Sequence, residues 1–317
     1  MPGAGSAVPS ENENKEKEMS RANKMLKKEL VTFARRAGGS FKTVADRSRI
    51  ATQISARMMA LNIQIRSVSN IKTQHIVLYI RSRQADNISK RTLQNEMAAI
   101  RGILAAAGRP KLADPHHEWL SNHALGISGA SRDGTKIAIS DERFSEALAL
   151  ARSKDEGVAI AMRLSRYLGL RTEETVQSAK SVRTWQQAII KGHDAVRVVF
   201  GTKGGRPRNT TIINKVETIK AINDAAAYIK EHNGKLIDST GLKSAISRYR
   251  NITEYAGLKG KISPHSLRYA YAQDATKYYL AQGYSQKEAE AMVSMDLGHG
   301  DGRGQYVARV YNRTSDE

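Results

Sequence analysis

One stretch of this chain departs from a pattern that the rest keeps. Apolar residues recur almost throughout at three- and four-residue steps, as in Met25, Leu26, Leu30, Phe33 and again Ile76, Ile80, the spacing that gives a helix one apolar stripe. Between Ala195 and Ile213 the period falls to that of a strand. Val196, Val198 and Val199 alternate into Phe200, and Thr210-Thr211-Ile212-Ile213 answers them. The turn between, Thr202-Lys203-Gly204-Gly205-Arg206-Pro207-Arg208, is punctuated by glycine and proline and reads as a β-hairpin tip. The expected fold is therefore mainly α with a small antiparallel β-sheet.

Breaks in the helical pattern divide the 317 residues further. Residues 1–19 are polar and acidic, with Gly, Pro and Ser, and are expected to be a disordered tail. Residues 20–125 read as a helical domain of about four helices, with breaks at 37–39, 67–70, 86–87 and 108–110. Residues 126–139 (GISGASRDGTKIAI) look like a linker. A second domain, residues 140–317, opens at Ser140 with Asp141 and Glu142 in the first turn of its helix, where acids suit the dipole.

Charge points to the partner. Lys and Arg number 51 against 31 Asp and Glu, a formal charge of +20. A protein this basic repels itself unless it meets a polyanion, so nucleic acid comes first and an anionic membrane surface second. No apolar run is long enough to span a bilayer and no export signal opens the chain. The absence of cysteine excludes disulfides and thiolate metal sites, and a cytoplasmic, DNA-associated protein is expected. Candidate DNA-backbone contacts are Lys27, Lys28, Arg35, Arg36, Lys42, Arg81, Arg83, Lys90 and Arg91 on the first domain, and Arg206 and Arg208 on the hairpin. The bland alternative for such a surface is simple solvation.

Four segments of the second domain carry chemistry. Tyr167-Leu168-Gly169-Leu170-Arg171-Thr172-Glu173-Glu174 ends one helix at a glycine and puts an arginine at the head of the next. The hairpin tip presents Lys203. Pro264-His265-Ser266-Leu267-Arg268 opens a helix with His265 and Arg268 on one face. Leu297-Gly298-His299-Gly300 is followed by Tyr306 and Tyr311. Together these resemble the tyrosine recombinase (phage-type integrase) family, whose fingerprint is an arginine in a GLRxxE segment, a hairpin lysine, an HxxR box, an LGH box and a tyrosine nucleophile, in that order. The resemblance spans residues 140–313, and the basic helical half is similar to the family's N-terminal core-binding domain. It implies a two-domain clamp on duplex DNA that acts as a tetramer on two recombination sites.

The residue types suit attack on a phosphodiester. Two guanidiniums, Arg171 and Arg268, present paired donors to the charged oxygens of a five-coordinate transition state. A phenol with an ordinary pKa near 10 needs a proton acceptor at neutral pH. The resemblance makes His265 that base, Lys203 the acid that protonates the departing 5′-oxygen, and His299 a donor to the phosphate, with Glu174 orienting an arginine. Tyr306 lies seven residues beyond His299 and Tyr311 twelve beyond, on either side of the family's usual spacing. Tyr311 is favoured, because the glycine-rich 300–304 segment absorbs extra residues and Ala308-Arg309-Val310-Tyr311 resembles the family's apolar-then-tyrosine ending. Tyr306 is the alternative nucleophile. Little chain follows Tyr311, which leaves subunit docking open. No metal, ATP or other cofactor is expected, since arginines supply the neutralisation a divalent ion would give. His116, His117 and His123 lack the carboxylate or cysteine company of a metal site. A type IB topoisomerase with the same chemistry, or a DNA-binding protein without catalysis, stands as the alternative.

Overall fold

Short polar side chains start the helices. Ser40, Ser89, Ser140, Asp155, Asn214 and Ser285 each accept a hydrogen bond from the backbone N–H three residues on. Each such cap contributes about 1 kcal/mol by satisfying a donor that the helix itself leaves open. The structure, a computed structural model, describes residues 11–312, with side chains from residue 21 onward. It separates into two compact units, Met1–Ser131 and Arg132–Glu317.

The first unit holds helices α1 (Glu11–Arg36), α2 (Phe41–Ala60), α3 (Thr73–Ala85), α4 (Lys90–Ala106) and the short α5 (Pro110–Ala113). All four expected breaks fall between them. Leu26, Leu30 and Ala34 of α1 pack with Ile50, Ile54 and Met58 of α2, and α3 and α4 add Ile76, Ile80, Leu93, Met97, Ile100 and Ile103. Each large side chain buried this way contributes on the order of 2 kcal/mol. Among them sits a carboxylate. Glu96 accepts from Tyr79 Oη at 2.8 Å, Gln53 Nε2 at 3.1 Å and Arg83 Nη2 at 2.8 Å. Arg83, expected on DNA, is thus drawn inward by Glu96 and corrects that expectation. Of the expected tail, residues 1–10 lie outside the described residues. From Glu11 the chain is already in α1, so the tail is shorter than its composition suggested.

The second unit runs α6 (Asp141–Arg152), α7 (Glu156–Leu168), α8 (Thr172–Val176), α9 (Val182–Ile190), β1 (Ala195–Val198), β2 (Arg208–Thr211), α10 (Lys215–Glu231), α11 (Leu242–Tyr255), α12 (Ser266–Ala281), α13 (Gln286–Asp296) and α14 (Gly304–Val310). The two strands pair antiparallel, Ala195 with Thr211 and Val198 with Arg208. Helix α7 is buried nearly all round, and its Val158, Ile160, Met162 and Leu164 centre one core cluster. A second cluster joins α12, α13 and α14 through Tyr271, Ala275, Val293, Val307 and Val310.

The expected linker 126–139 is divided between the units, because its isoleucines find cores. Ile127 is buried in the first, its carbonyl taking Gln94 Nε2 at 2.8 Å. From Arg132 the chain lies along the second unit, where the N–H groups of Gly134, Ile137 and Ile139 donate to the carbonyls of Arg309, Lys261 and Ser266. Among the described residues, no helix is long and apolar enough to cross a membrane.

Candidate active site

The site begins where α7 stops. Gly169 ends that helix in the left-handed region at φ 57°, and a Cβ there would come within 2.5 Å of the Tyr271 ring. The sharp turn makes Arg171 the N-cap of α8, and Glu174 closes back on it. Arg171 donates its backbone N–H to Glu174 Oε2 at 2.8 Å and Nη1 to Oε1 at 2.6 Å, while Nη2 reaches the carbonyl of Leu297 at 2.9 Å. Arg268, in the first turn of α12, is fully buried. It donates to the carbonyls of Gly169 and Leu297, and its Nη1 lies 3.8 Å from Glu174 Oε2. A third guanidinium completes the cluster. Arg208 Nη2 donates to Glu174 Oε2 at 2.9 Å and to the carbonyl of Gly169 at 3.1 Å. Burial alone would raise the Glu174 carboxyl, but Arg208, Arg268 and Arg171 outweigh it and bring it down to about 2. Three guanidiniums share one carboxylate, which leaves two positive charges without an ion-pair partner among the described residues.

The Leu297-Gly298-His299 turn leads from α13 toward α14 and brings a phenol onto this cluster. Tyr311, which closes α14, is 2% exposed. Its hydroxyl lies 3.1 Å from His299 Nε2 and 3.4 Å from Arg268 Nε. His265, at the head of α12, stacks obliquely near it, the two ring centres 6.2 Å apart. Burial pushes the His299 imidazole down to about 3, helped by Arg268, Arg171, Arg303 and Arg208, and burial with Arg268, Arg171 and Lys136 pushes His265 down to about 4. Both rings are neutral at pH 7, so a ring nitrogen of each is free of its proton and able to accept one. The imidazole within hydrogen-bond distance of the Tyr311 hydroxyl is that of His299, while His265, the base that the resemblance implies, lies against the Tyr311 ring. A buried phenol therefore touches an imidazole and a guanidinium, in a pocket of uncompensated positive charge.

Residues 23–113 match the model of the N-terminal domain of phage integrases, and residues 126–274 match the integrase model. The chain belongs to the tyrosine recombinase (phage-type integrase) family. The second match stops before His299 and Tyr311. Solved structures share the fold. A lambda integrase tetramer bound to a Holliday junction matches with a TM-score of 0.55 at 16% identity over 95% of this chain and 79% of that one. The Tn1549 transposon integrase in complex with transposon right-end DNA matches with 0.52 at 12% identity over 93% and 96%. The XerH site-specific recombinase bound to a palindromic substrate, a post-cleavage complex, matches with 0.52 at 13% identity over 93% of both chains. No curated protein sequence matched the chain.

In this recombinase the expected residues divide into three groups. Arg171, Glu174, Arg268, His299 and Tyr311 are joined by the hydrogen bonds above, with His265 against the Tyr311 ring. Lys203 stands apart, exposed on the turn between β1 and β2 and without a hydrogen bond or ion pair among the described residues. Tyr306 is 41% exposed, its ring 4.8 Å from that of His299 and 6.1 Å from that of Tyr311. Lys27, Lys28, Arg35, Arg36, Lys42, Arg81, Lys90, Arg91 and Arg206 are exposed. Arg208, expected beside Arg206 on DNA, is instead 6% exposed and engaged by Glu174 and backbone carbonyls. Its spacing from Arg206 could not reveal this, since residues two apart on a strand share a face. Asp296 was also missed. Burial raises its carboxyl, which accepts from Tyr279 Oη at 2.8 Å and from Thr211 N at 3.1 Å, so the residue before the Leu-Gly-His turn is anchored to β2. Among the described residues, no group of three or more His, Cys, Asp or Glu is placed to hold a metal ion.

Proposed function

We propose that this recombinase cleaves and rejoins duplex DNA at specific sites with Tyr311 as nucleophile. The observation that carries the reading is the Tyr311 hydroxyl lying within hydrogen-bond distance of both His299 Nε2 and Arg268 Nε. In the forward step the Tyr311 oxygen attacks the phosphorus, forming a 3′-phosphotyrosyl bond as the bond to the 5′-oxygen breaks. The phenolic proton passes to a neighbouring imidazole and a proton from Lys203 goes to the departing oxygen, leaving a 5′-hydroxyl. Attack by the 5′-hydroxyl of a partner strand reverses the step and joins new ends. The phosphodiester's energy is kept in the covalent link, so neither ATP nor a metal is required.

The guanidiniums of Arg171 and Arg268 suit the non-bridging oxygens, with preorganised donors worth about 3–4 kcal/mol each. Burial is the largest cause of the lowered His299 and His265 values and the neighbouring cations add to it; a DNA phosphate offsets the part due to the cations and so strengthens both rings as proton acceptors. His299 is nearer the hydroxyl and is the better placed acceptor, with His265 beside the ring.

Exposed cations on the first unit fit its reading as a core-binding domain that holds the DNA backbone. The complexes of lambda integrase with a Holliday junction and of the transposon integrase with transposon-end DNA support double-stranded DNA as partner, and the tetramer of the former supports a homo-tetramer on two sites. The same likeness supports integration, excision or inversion of a mobile element, carried out in the cytoplasm on the nucleoid. A pool of nicked duplexes of randomised sequence tests the reading. Wild type and Tyr306→Phe should form a denaturation-resistant protein–DNA adduct that Tyr311→Phe does not form. An adduct lost in Tyr306→Phe and kept in Tyr311→Phe transfers the nucleophile to Tyr306. Relaxation of plasmids without any selected sequence favours a topoisomerase.

A further inference from the structure

The buried guanidinium of Arg208 has no role in the scheme above, yet it bonds to the segments that carry it. Its side chain is 3% exposed. Nη1 donates to the carbonyl of Asp296, the residue before Leu297-Gly298-His299. Nη2 donates to the carbonyl of Gly169, before Leu170-Arg171, and to Glu174 Oε2 at 2.9 Å. Arg208 itself opens β2, the strand entered from the Lys203 turn. One planar group therefore fastens three motif-bearing segments to one another. Gly298 makes room for it, since a Cβ there would lie 2.6 Å from Arg208 Cδ.

We propose that Arg208 is a positioning residue, which holds Glu174 so that Glu174 in turn holds Arg171 in its phosphate-binding orientation. The argument runs through the two oxygens of Glu174. Oε1 takes Arg171 Nη1 at 2.6 Å, and Oε2 takes the Arg171 N–H at 2.8 Å and Arg208 Nη2. Apart from Arg171 and Arg208, the nearest guanidinium to Oε2 among the described residues is that of Arg268 at 3.8 Å. A carboxylate pinned from one side only is free to rotate, and the Arg171 fork rotates with it. A lysine at this position keeps the charge but loses the fork that reaches carboxylate and carbonyls together. This inference rests on the reading of Arg171 and Tyr311 as the cleavage centre.

The experiment uses the full chain and a nicked duplex recovered by covalent trapping from the randomised pool. Single-turnover cleavage, DNA affinity and the slope of affinity against salt are measured for wild type, Arg208→Lys, Arg208→Gln, Glu174→Gln and the Arg208→Gln/Glu174→Gln double variant. Fluorescence of buried Trp185 checks that each variant is folded. Cleavage by Arg208→Lys and Arg208→Gln should fall about a hundredfold, the cost of misplacing a binding group by about 1 Å. The salt slope should change no more than it does in Glu174→Gln, because the phosphate contact at stake in each is that of Arg171. The double variant should cleave no more slowly than the worse single one, the signature of two residues acting in one chain of contacts. A salt slope shallower in either Arg208 variant than in Glu174→Gln makes Arg208 a DNA contact and overturns the inference. So does wild-type cleavage by Arg208→Lys, or strictly multiplicative losses in the double variant. An adduct that persists in Tyr311→Phe overturns the reading of the cleavage centre instead, and the two failures are told apart by that control.

Discussion

Each unit buries a glutamate, and the two are surrounded differently. Glu96 in the first unit meets one guanidinium, that of Arg83, with Tyr79 and Gln53 filling its remaining valences. Charge there is balanced and the hydrogen-bonding capacity is used up. Glu174 in the second unit meets three guanidiniums and leaves two positive charges over. A balanced buried pair fixes structure, whereas an excess of positive charge suits the phosphate of the proposed function. The ratio of opposite charges in the cluster, more than burial itself, separates the scaffold from the site.

The largest expected effect lies in chemistry. Arg268→Gln should lower single-turnover cleavage by about a thousandfold, the upper range for loss of one preorganised donor. Arg83→Gln, assayed as folded protein, should cleave at nearly the wild-type rate. Equal losses in the two would erase the distinction between the clusters.

Next in size is stability. Glu96→Gln takes the buried partner from half-buried Arg83, which keeps only Asp86 at 3.7 Å, and should destabilise the first unit by about 2 kcal/mol in urea unfolding. Sulfate should raise the melting midpoint of wild type by binding the second cluster, and should lose that effect in Arg268→Gln while keeping it in Glu96→Gln. An equal response in all three proteins would show the charge excess around Glu174 to be irrelevant to anions.

Acid should act on the second unit in two stages. His265 and His299 are held neutral in the fold, with values lowered from 6.5 to about 4 and 3, so the unfolded chain binds protons first. The stability they lend is whole above pH 6.5 and is lost as pH falls through that value toward 4 and 3. Glu174, lowered from 4.5 to about 2, adds a loss that begins near 4.5. In a Trp119→Phe background, Trp185 reports the second unit alone. Its acid unfolding should move to lower pH in His299→Gln, and an unchanged midpoint would refute the assignment.

The smallest effect concerns the exposed cations. Lys42→Gln and Arg91→Gln should each flatten the dependence of log affinity on log salt by about 0.9 if each neutralises one phosphate. Arg83→Gln should leave the slope alone, because its guanidinium serves Glu96.

Much of this was legible beforehand, for a local reason. Helix breaks at Gly38-Gly39 or Asp86-Asn87, the hairpin around Gly204-Gly205, and the order of Arg171, Lys203, His265, Arg268, His299 and the late tyrosines are properties of neighbours in sequence. Misjudged were Arg83 and Arg208, which composition placed on DNA. Each was drawn inward by a carboxylate 13 and 34 residues away along the chain. No local pattern distinguishes Arg206 from Arg208.

The amino-acid sequence by itself determined the helical fold, the single hairpin and the set of groups needed to attack a phosphate, because periodicity and residue chemistry act over a few residues. Tertiary structure alone decided which histidine touches the phenol, which tyrosine closes on Arg268, and that Arg208 faces Glu174. Those choices depend on how the turn after α13 and the helix α14 pack over β2, and long-range packing is set by shape and burial that neighbours in sequence do not encode.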